Sequence, residues 1–395
     1  MQFERVTYKD MERVPQLSIP CEFKSSFVGS APAPFIGQYG YPTVNVGILS
    51  PQFVGALADY DSPRLWNATS ASIGSVASKR YEMVNSRVQS GVKDFGGRFT
   101  QIVQEVAMAK MPAELEINLL AKPELSLKLE DGITPFGPGA GVKSAAVTSN
   151  VRVDRAVEKV VGDTDLRARE GVLQLYKRGF EESVMNKILS VGALGVGRDR
   201  KLVPTRWSIT AVDDTVGKEL LDAIRGFSVG GCTVYFGGGW GNYYLVLMFD
   251  RPFAYELFEV YVESDVNPWS SQGLKYSTDF EGYTGRTTYA TETAGGYYAC
   301  RLSVLEELHR LTSQNGVLVL RFITPEYSVP LGVWVCREAT RNALGAGGER
   351  FESREEVLVH ALTFVQKRFG INISTLLASS LLLKEPVQKD LRQFL

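Results

Sequence analysis

Four cysteines and two histidines are all that this chain of 395 residues offers as soft metal ligands. Cys21, Cys232, Cys300 and Cys336 stand far apart, with no C-x-x-C pair, so no zinc-finger spacing is present. Cysteines scattered in this way read as buried reduced thiols. Net charge is lacking too. The 43 basic and 44 acidic residues nearly cancel, which excludes wholesale attraction to nucleic acid through an overall positive field and leaves only a local basic face open. No apolar run approaches the roughly 20 residues of a membrane span. The charged start "MQFERVTYKDMERV" lacks the apolar stretch of a signal peptide. Together these absences predict a cytoplasmic protein with no membrane partner. No Ser/His/Asp or Cys/His arrangement is legible, and His309 and His360 both sit in helical patterns.

What is present is enough hydrophobic sequence, 44% with 11% aromatics, to bury a sizeable core over two or three domains. "GSAPAPFIGQYGYPTVNVGILSP" holds too many breakers for a helix and reads as short strands and tight turns, with Gly37, Gly40 and Gly47 where a Cβ would clash. Residues 75–110 read as largely helical, interrupted at Gly96-Gly97. "AELEINLLA" and "ELSLKLEDG" alternate as half-buried strands do, and "TPFGPGAGV" is a loop. Three helices follow between 155 and 226. Asp163 or Asp165 caps the first, Gly192 ends the second, and Asp213 caps the third. "CTVYFGGGWGNYYLVLMF" is a hairpin, "GVLVLRFI" a buried strand, and Ser353 with Glu356 has capping-box spacing. No run of βαβ units appears, so the class is mixed α and β.

"RKLVPTRWSITAVDDTVGK" gathers Arg206, Trp207, Ser208, Asp213 and Asp214 at a loop-to-helix junction. One reading makes Arg206 and the helix start an anion site, Trp207 a stacking surface, and the aspartates metal-binding or acid–base groups. The other makes Asp213 a cap, Trp207 core and Arg206 an ion-pair partner. Neighbours on a helix point about 100° apart, which argues against a two-carboxylate site from Asp213 and Asp214 alone. Asp163 and Asp165 either share a cation or serve as caps. Glu326 and Arg337 lie in a second polar, aromatic-rich turn. The glycine-rich loops match no phosphate-binding motif.

The last ten residues, "PVQKDLRQFL", are more specific. Gln388, Leu391, Phe394 and Leu395 fit Q-x-x-[aliphatic]-x-x-[aromatic]-[large apolar]. On a 3₁₀ turn, residues three apart eclipse, so Leu391 and Phe394 form one plug while Gln388 reaches a separate pocket. That is the pattern of the PIP box, which docks on the sliding clamp PCNA. The chain as a whole resembles the archaeal Nre family. The resemblance is carried by "GSAPAPFIGQYGYPTVNVG", "PFGPGAGVK", "EKVVGDTDLRA", "RKLVPTRWSITAVDDTVGK", "GGYYACRLSVLE", "VLVLRFITPEYSVPLGVWVCRE" and the tail.

It implies an α+β protein with a large N-terminal domain over 1–275 and a smaller α/β C-terminal domain over 276–384. A flexible clamp-binding tail over 385–395 completes it. The implied role is DNA repair, recruited by PCNA. Many members begin with a cysteine-rich segment, and here only Cys21 lies near that end, so zinc is not carried over. Phe394-Leu395 stands where a pair of aromatics is more usual. In a repair protein, Arg206, Trp207, Ser208 and Arg337 become candidates for contacting DNA or a nucleotide. The alternative is a metal-dependent nuclease or nucleotide-processing enzyme using Asp213, Asp214, Asp163, Asp165 and Glu326 with a divalent cation.

Overall fold

Glycine and proline punctuate the early chain, and strands fill the intervals between them. A computed structural model describes residues 22–124, 132–262 and 275–385. Among these, 22–216 together with Val329–Trp334 form one compact unit, and 217–328 with 335–385 form another.

The first unit is built on six strands: β1 (Ser26–Ala31), β2 (Ala33–Ile36), β3 (Thr43–Ser50), β4 (Val84–Gly91), β5 (Ala113–Leu119) and β6 (Gly139–Val147). Their order is β1-β5-β6-β4-β3-β2, antiparallel except for β4 beside β6. Two of the three glycines singled out above are sterically required. Gly40 has φ +85°, and a Cβ on Gly47 would lie 2.2 Å from Asn85 Oδ1. Gly37 has no contact closer than 3.4 Å and no such need.

Around the sheet run α1 (Pro63–Ala68), α2 (Ile73–Tyr81), α3 (Arg98–Met108), α4 (Arg155–Gly162), α5 (Ala168–Lys177) and α6 (Glu182–Ser190). The amphipathic α3 buries Ile102, Val103 and Val106 against β2, β3, β6 and α6. Burying each such side chain contributes roughly 1.5–3 kcal/mol. The stretch expected to be helical from 75 to 110 is broken by β4. Val84, Asn85 and Ser86 are buried there because β3 and β6 pair with them, and pairing overrides local propensity. The "TPFGPGAGV" loop is likewise shorter than expected, since β6 starts at Gly139. Within this unit Asp61 binds both Arg80 and Lys187, at 2.7 and 2.8 Å. Burial works to raise the Asp61 carboxyl, but the two cations outweigh it and hold it low.

The long α7 (Thr205–Ile224) leads into the second unit. There, β7 (Ser228–Val229) pairs with β12 (Ser313–Gln314). A larger sheet contains β8 (Cys232–Gly239), β9 (Asn242–Phe249), β10 (Ala254–Tyr261), β11 (Lys275–Glu281), β13 (Gly316–Ile323) and β14 (Gly348–Phe351), in the order β11-β10-β13-β9-β8-β14. Only β10 and β13 are parallel. The expected hairpin is β8–β9, turning through Trp240 and Gly241 at φ +53° and +69°, which matches the twist of the strands.

One face of this sheet packs Phe258, Leu320 and Phe322 with Val357, Ala361 and Val365 of α10 (Arg354–Phe369) and with α11 (Ser374–Ser379) and α12 (Leu381–Lys384). Ser353 caps α10 as expected, accepting from Glu356 N at 3.2 Å. The Glu356 carboxylate takes the Glu352 N–H, 3.0 Å away. The opposite sheet face carries buried charge. Arg321 is paired with Glu259 and donates to Asn242 Oδ1 at 2.6 and 2.9 Å, and Arg301 is paired with Glu281. Arg301 belongs to α8 (Ala294–Leu311), and α9 (Trp334–Gly345) follows β13. Cys232, Cys300 and Cys336 are buried free thiols, as expected, while Cys21 lies outside the described residues. Glu256 accepts the N–H groups of Leu381 and Leu382, both at 3.0 Å, and Arg251 holds Glu385 at 2.6 Å. The chain is thus tied to the sheet up to the last described residue.

Candidate nucleic-acid interface

The turn between β2 and β3 is "GQYGYP", closed by a bond from Thr43 N to Gly40 O at 2.9 Å. Beside it, α7 starts at Thr205, eight residues before Asp213. The helix start is anchored from three sides. Trp207 N and Ser208 N both donate to Pro204 O, at 2.8 and 3.0 Å. Ser208 Oγ donates to Thr205 O at 2.9 Å, and Ile36 N donates to Thr205 Oγ1 at 2.9 Å. These bonds bury Ser208 completely and leave Trp207 facing out. Trp207 is 45% exposed and Tyr41 40%, with ring centroids 5.2 Å apart at 50°. Tyr39, two residues before Tyr41, is 66% exposed. Trp207 is therefore not core.

Cations border this aromatic pair. Arg206 precedes Trp207, and its Nε lies 3.8 Å from where a Cβ on Gly132 would be. Val92 N donates to Pro42 O at 2.9 Å and Leu202 N to Val92 O at 2.7 Å. This short ladder brings the exposed Lys93 and Lys201 to segments beside the aromatic loop. Among the described residues, none of Lys93, Lys201 and Arg206 is in an ion pair. Exposed stacking rings with cations on adjoining segments suit a base and its phosphates, because every base has a π-face and the charge tracks the backbone. Tyr41, Lys93 and Lys201 were missed in the sequence. "YGYP" reads only as a turn, and the lysines are distant in sequence from Trp207.

The candidate carboxylates occupy other positions. Asp213 is not a helix cap. It lies within α7 and is 1% exposed, with Asp214 half-buried beside it. Asp163 ends α4, and its Oδ1 accepts from Asp165 N and Leu166 N, both at 3.1 Å. The cap of α5 is instead Arg167, whose N–H donates to Glu170 at 3.3 Å. Asp163 and Asp165 are both exposed. Among the described residues, no group of three or more His, Cys, Asp or Glu side chains could hold a metal ion. In the second unit, Glu326 accepts from the Tyr243 hydroxyl at 2.8 Å; burial first, then this carboxylate, raises that phenol. Arg337 lies in α9 and is only 3% exposed.

Residues 9–269 match the family description "Archaeal Nre, N-terminal", and residues 281–394 match "Archaeal Nre, C-terminal". The chain belongs to the archaeal Nre family. It is 35% identical over 383 residues to a protein of Archaeoglobus fulgidus named DNA repair protein NreB, covering 96% of this chain and 94% of that one. It is 40% identical over 329 residues to DNA repair protein NreA of Haloferax volcanii, with 81% and 78% covered. A second Archaeoglobus fulgidus protein, named DNA repair protein NreA, is 34% identical over 345 residues, with 86% and 85% covered. No solved structure matches this Nre chain. Its α+β class, with several sheets and many helices, agrees with what the resemblance implied. Gln388, Leu391, Phe394 and Leu395 lie outside the described residues, and no helix among those described is long and apolar enough to cross a membrane.

Proposed function

We propose that this Nre protein acts in archaeal DNA repair, is recruited by the PCNA sliding clamp through Gln388, Leu391, Phe394 and Leu395, and contacts DNA through the surface around Tyr41 and Trp207. The repair role is supported by the names of three relatives that align over most of this chain. Recruitment is supported by the motif in the final eight residues. The single observation behind DNA contact is the exposed Tyr41–Trp207 pair, with Lys93, Lys201 and Arg206, none of them ion-paired among the described residues, on adjoining segments. An exposed tryptophan contributes little to folding where it stands, so its removal reports on binding.

Base–aromatic stacking is worth about 1–3 kcal/mol per base. Trp207→Ala therefore weakens binding to a short single-stranded oligonucleotide by about tenfold, with the melting temperature unchanged. Fluorescence anisotropy with a labelled oligonucleotide measures it. Unaltered affinity in the variant removes the stacking surface from this account.

A further inference from the structure

The second unit contains a cleft of about 750 Å³, within the size range of small-ligand sites. It opens where β8 meets the edge strand β14. Gly348 stands opposite Tyr235 and Arg350 opposite Thr233, so all four residues share one face of the sheet. Gly348 keeps the floor low. A Cβ there would lie 2.5 Å from the Thr233 methyl and 2.7 Å from the Tyr235 ring, so the phenol lies across a bare strand.

Three polar groups converge on this floor. Arg310 is fixed by two bonds to Glu307, 2.8 and 2.7 Å long. Arg350 is exposed and makes no ion pair among the described residues. The Tyr235 phenol lies in the field of both. Its pKa is raised by burial and then by Glu307, and drawn back by Arg310 and Arg350. Two guanidiniums against one carboxylate leave one positive charge over. The C-terminal ends of α8 and α9 also border the cleft, and their dipoles oppose anions. Part of that effect is absorbed, because Thr312 N bonds His309 O and Ala346 N bonds Asn342 O, both at 3.1 Å. Such a site suits one compact anion and not a polyanionic strand.

We infer that this cleft binds the phosphomonoester of a mononucleotide-sized ligand. Arg350 is the direct partner of the phosphate, Arg310 the second cation, and the Tyr235 hydroxyl a donor to the same group. A free nucleoside monophosphate and the 5′-phosphate of a DNA end present the same chemistry, and the experiment separates them.

Isothermal titration of the full chain is run with deoxyadenosine monophosphate, deoxyadenosine, and a short oligonucleotide with or without its 5′-phosphate. The variant is Arg350→Ala, which removes an exposed side chain from an edge strand and leaves the Arg310–Glu307 pair intact. The phosphorylated probes bind saturably, deoxyadenosine does not, and Arg350→Ala weakens binding by about 10- to 100-fold, as loss of a charge-assisted hydrogen bond predicts. An oligonucleotide bound more tightly with its 5′-phosphate than without it, the difference being lost in Arg350→Ala, identifies a DNA end, and oligonucleotide binding indifferent to the 5′-phosphate beside saturable monophosphate binding identifies the free nucleotide. Monophosphate binding that survives in Trp207→Ala assigns it to this cleft, and its loss in that variant assigns it to the stacking surface and overturns the inference. The inference is overturned if no phosphorylated probe saturates, if deoxyadenosine binds as tightly as its monophosphate, or if Arg350→Ala binds like the parent chain.

Discussion

Replacing Leu391 and Phe394 together by alanine abolishes measurable binding of this protein to the sliding clamp. On the proposed recruitment the two side chains would form the apolar plug of the motif, each contributing roughly 1.5–3 kcal/mol when buried. On the same reading the intact tail is expected to bind in the micromolar class, because the gain is offset by the cost of ordering the segment. Losing about 3 kcal/mol or more from such a tether weakens it at least about 100-fold, since 1.4 kcal/mol is tenfold. Titration of the clamp into the full chain reads this directly. A double variant that binds within a few-fold of the parent chain places the clamp contact elsewhere. Arg251 and Glu256 hold the chain as far as Glu385, the last described residue, and a melt of the double variant beside the parent separates lost docking from lost fold.

The largest expected effect on stability lies in the second unit, at the pair formed by Glu259 on β10 and Arg321 on β13. Both are buried, 3% and 8% exposed, on the sheet face opposite the main apolar core. Removing the carboxylate leaves a guanidinium in the interior with, among the described residues, only the Asn242 amide oxygen to accept from it. Breaking one half of a buried pair costs about 3–5 kcal/mol. Glu259→Ala therefore lowers the melting temperature by roughly 10 °C, on the scale of 2–4 °C per kcal/mol for units of this size. Glu259→Met combined with Arg321→Met recovers most of the loss, because no buried charge is then stranded. Near-UV circular dichroism follows both melts. A single variant as stable as the parent would show that Arg321 finds another counter-charge. A double variant no better than the single would assign the loss to packing.

The contrast between β4 and the β8–β9 hairpin shows how far the sequence could be read. The hairpin carries its turn chemistry locally, in the glycines of "GGGWG", and is legible for that reason, although Trp240 at φ +53° is not a residue that turn chemistry favours. The strand β4 carries no local signal strong enough to oppose a helical pattern, and it exists because β3 and β6 offer partners distant in sequence. The same distinction governs the site. Trp207 and Arg206 stood out by type and position. Their orientation, with Ser208 turned inward and Trp207 outward, was set by Pro204, Thr205 and Ile36, and no spacing rule reveals it. Asp213 was misplaced as a cap because Pro204 starts the helix earlier. Lys93 and Lys201 reach the aromatic loop through two long-range backbone bonds, which only the fold supplies. The tail motif is a different case: its residues are read from linear spacing, they lie outside the described residues, and the clamp titration rather than the fold tests it.

Both halves of the functional proposal meet in one assay, the association of the protein with gapped DNA bearing a loaded clamp, followed by fluorescence anisotropy. Avidity joins two weak contacts, one from the tail to the clamp and one from the Tyr41–Trp207 surface to DNA. The parent chain associates more tightly with clamp-loaded DNA than with either component alone. The Leu391→Ala/Phe394→Ala variant falls to the affinity for bare DNA, and Trp207→Ala falls to the affinity for the clamp alone. If the tail variant associates with clamp-loaded DNA as tightly as the parent does, recruitment through Gln388, Leu391, Phe394 and Leu395 is contradicted.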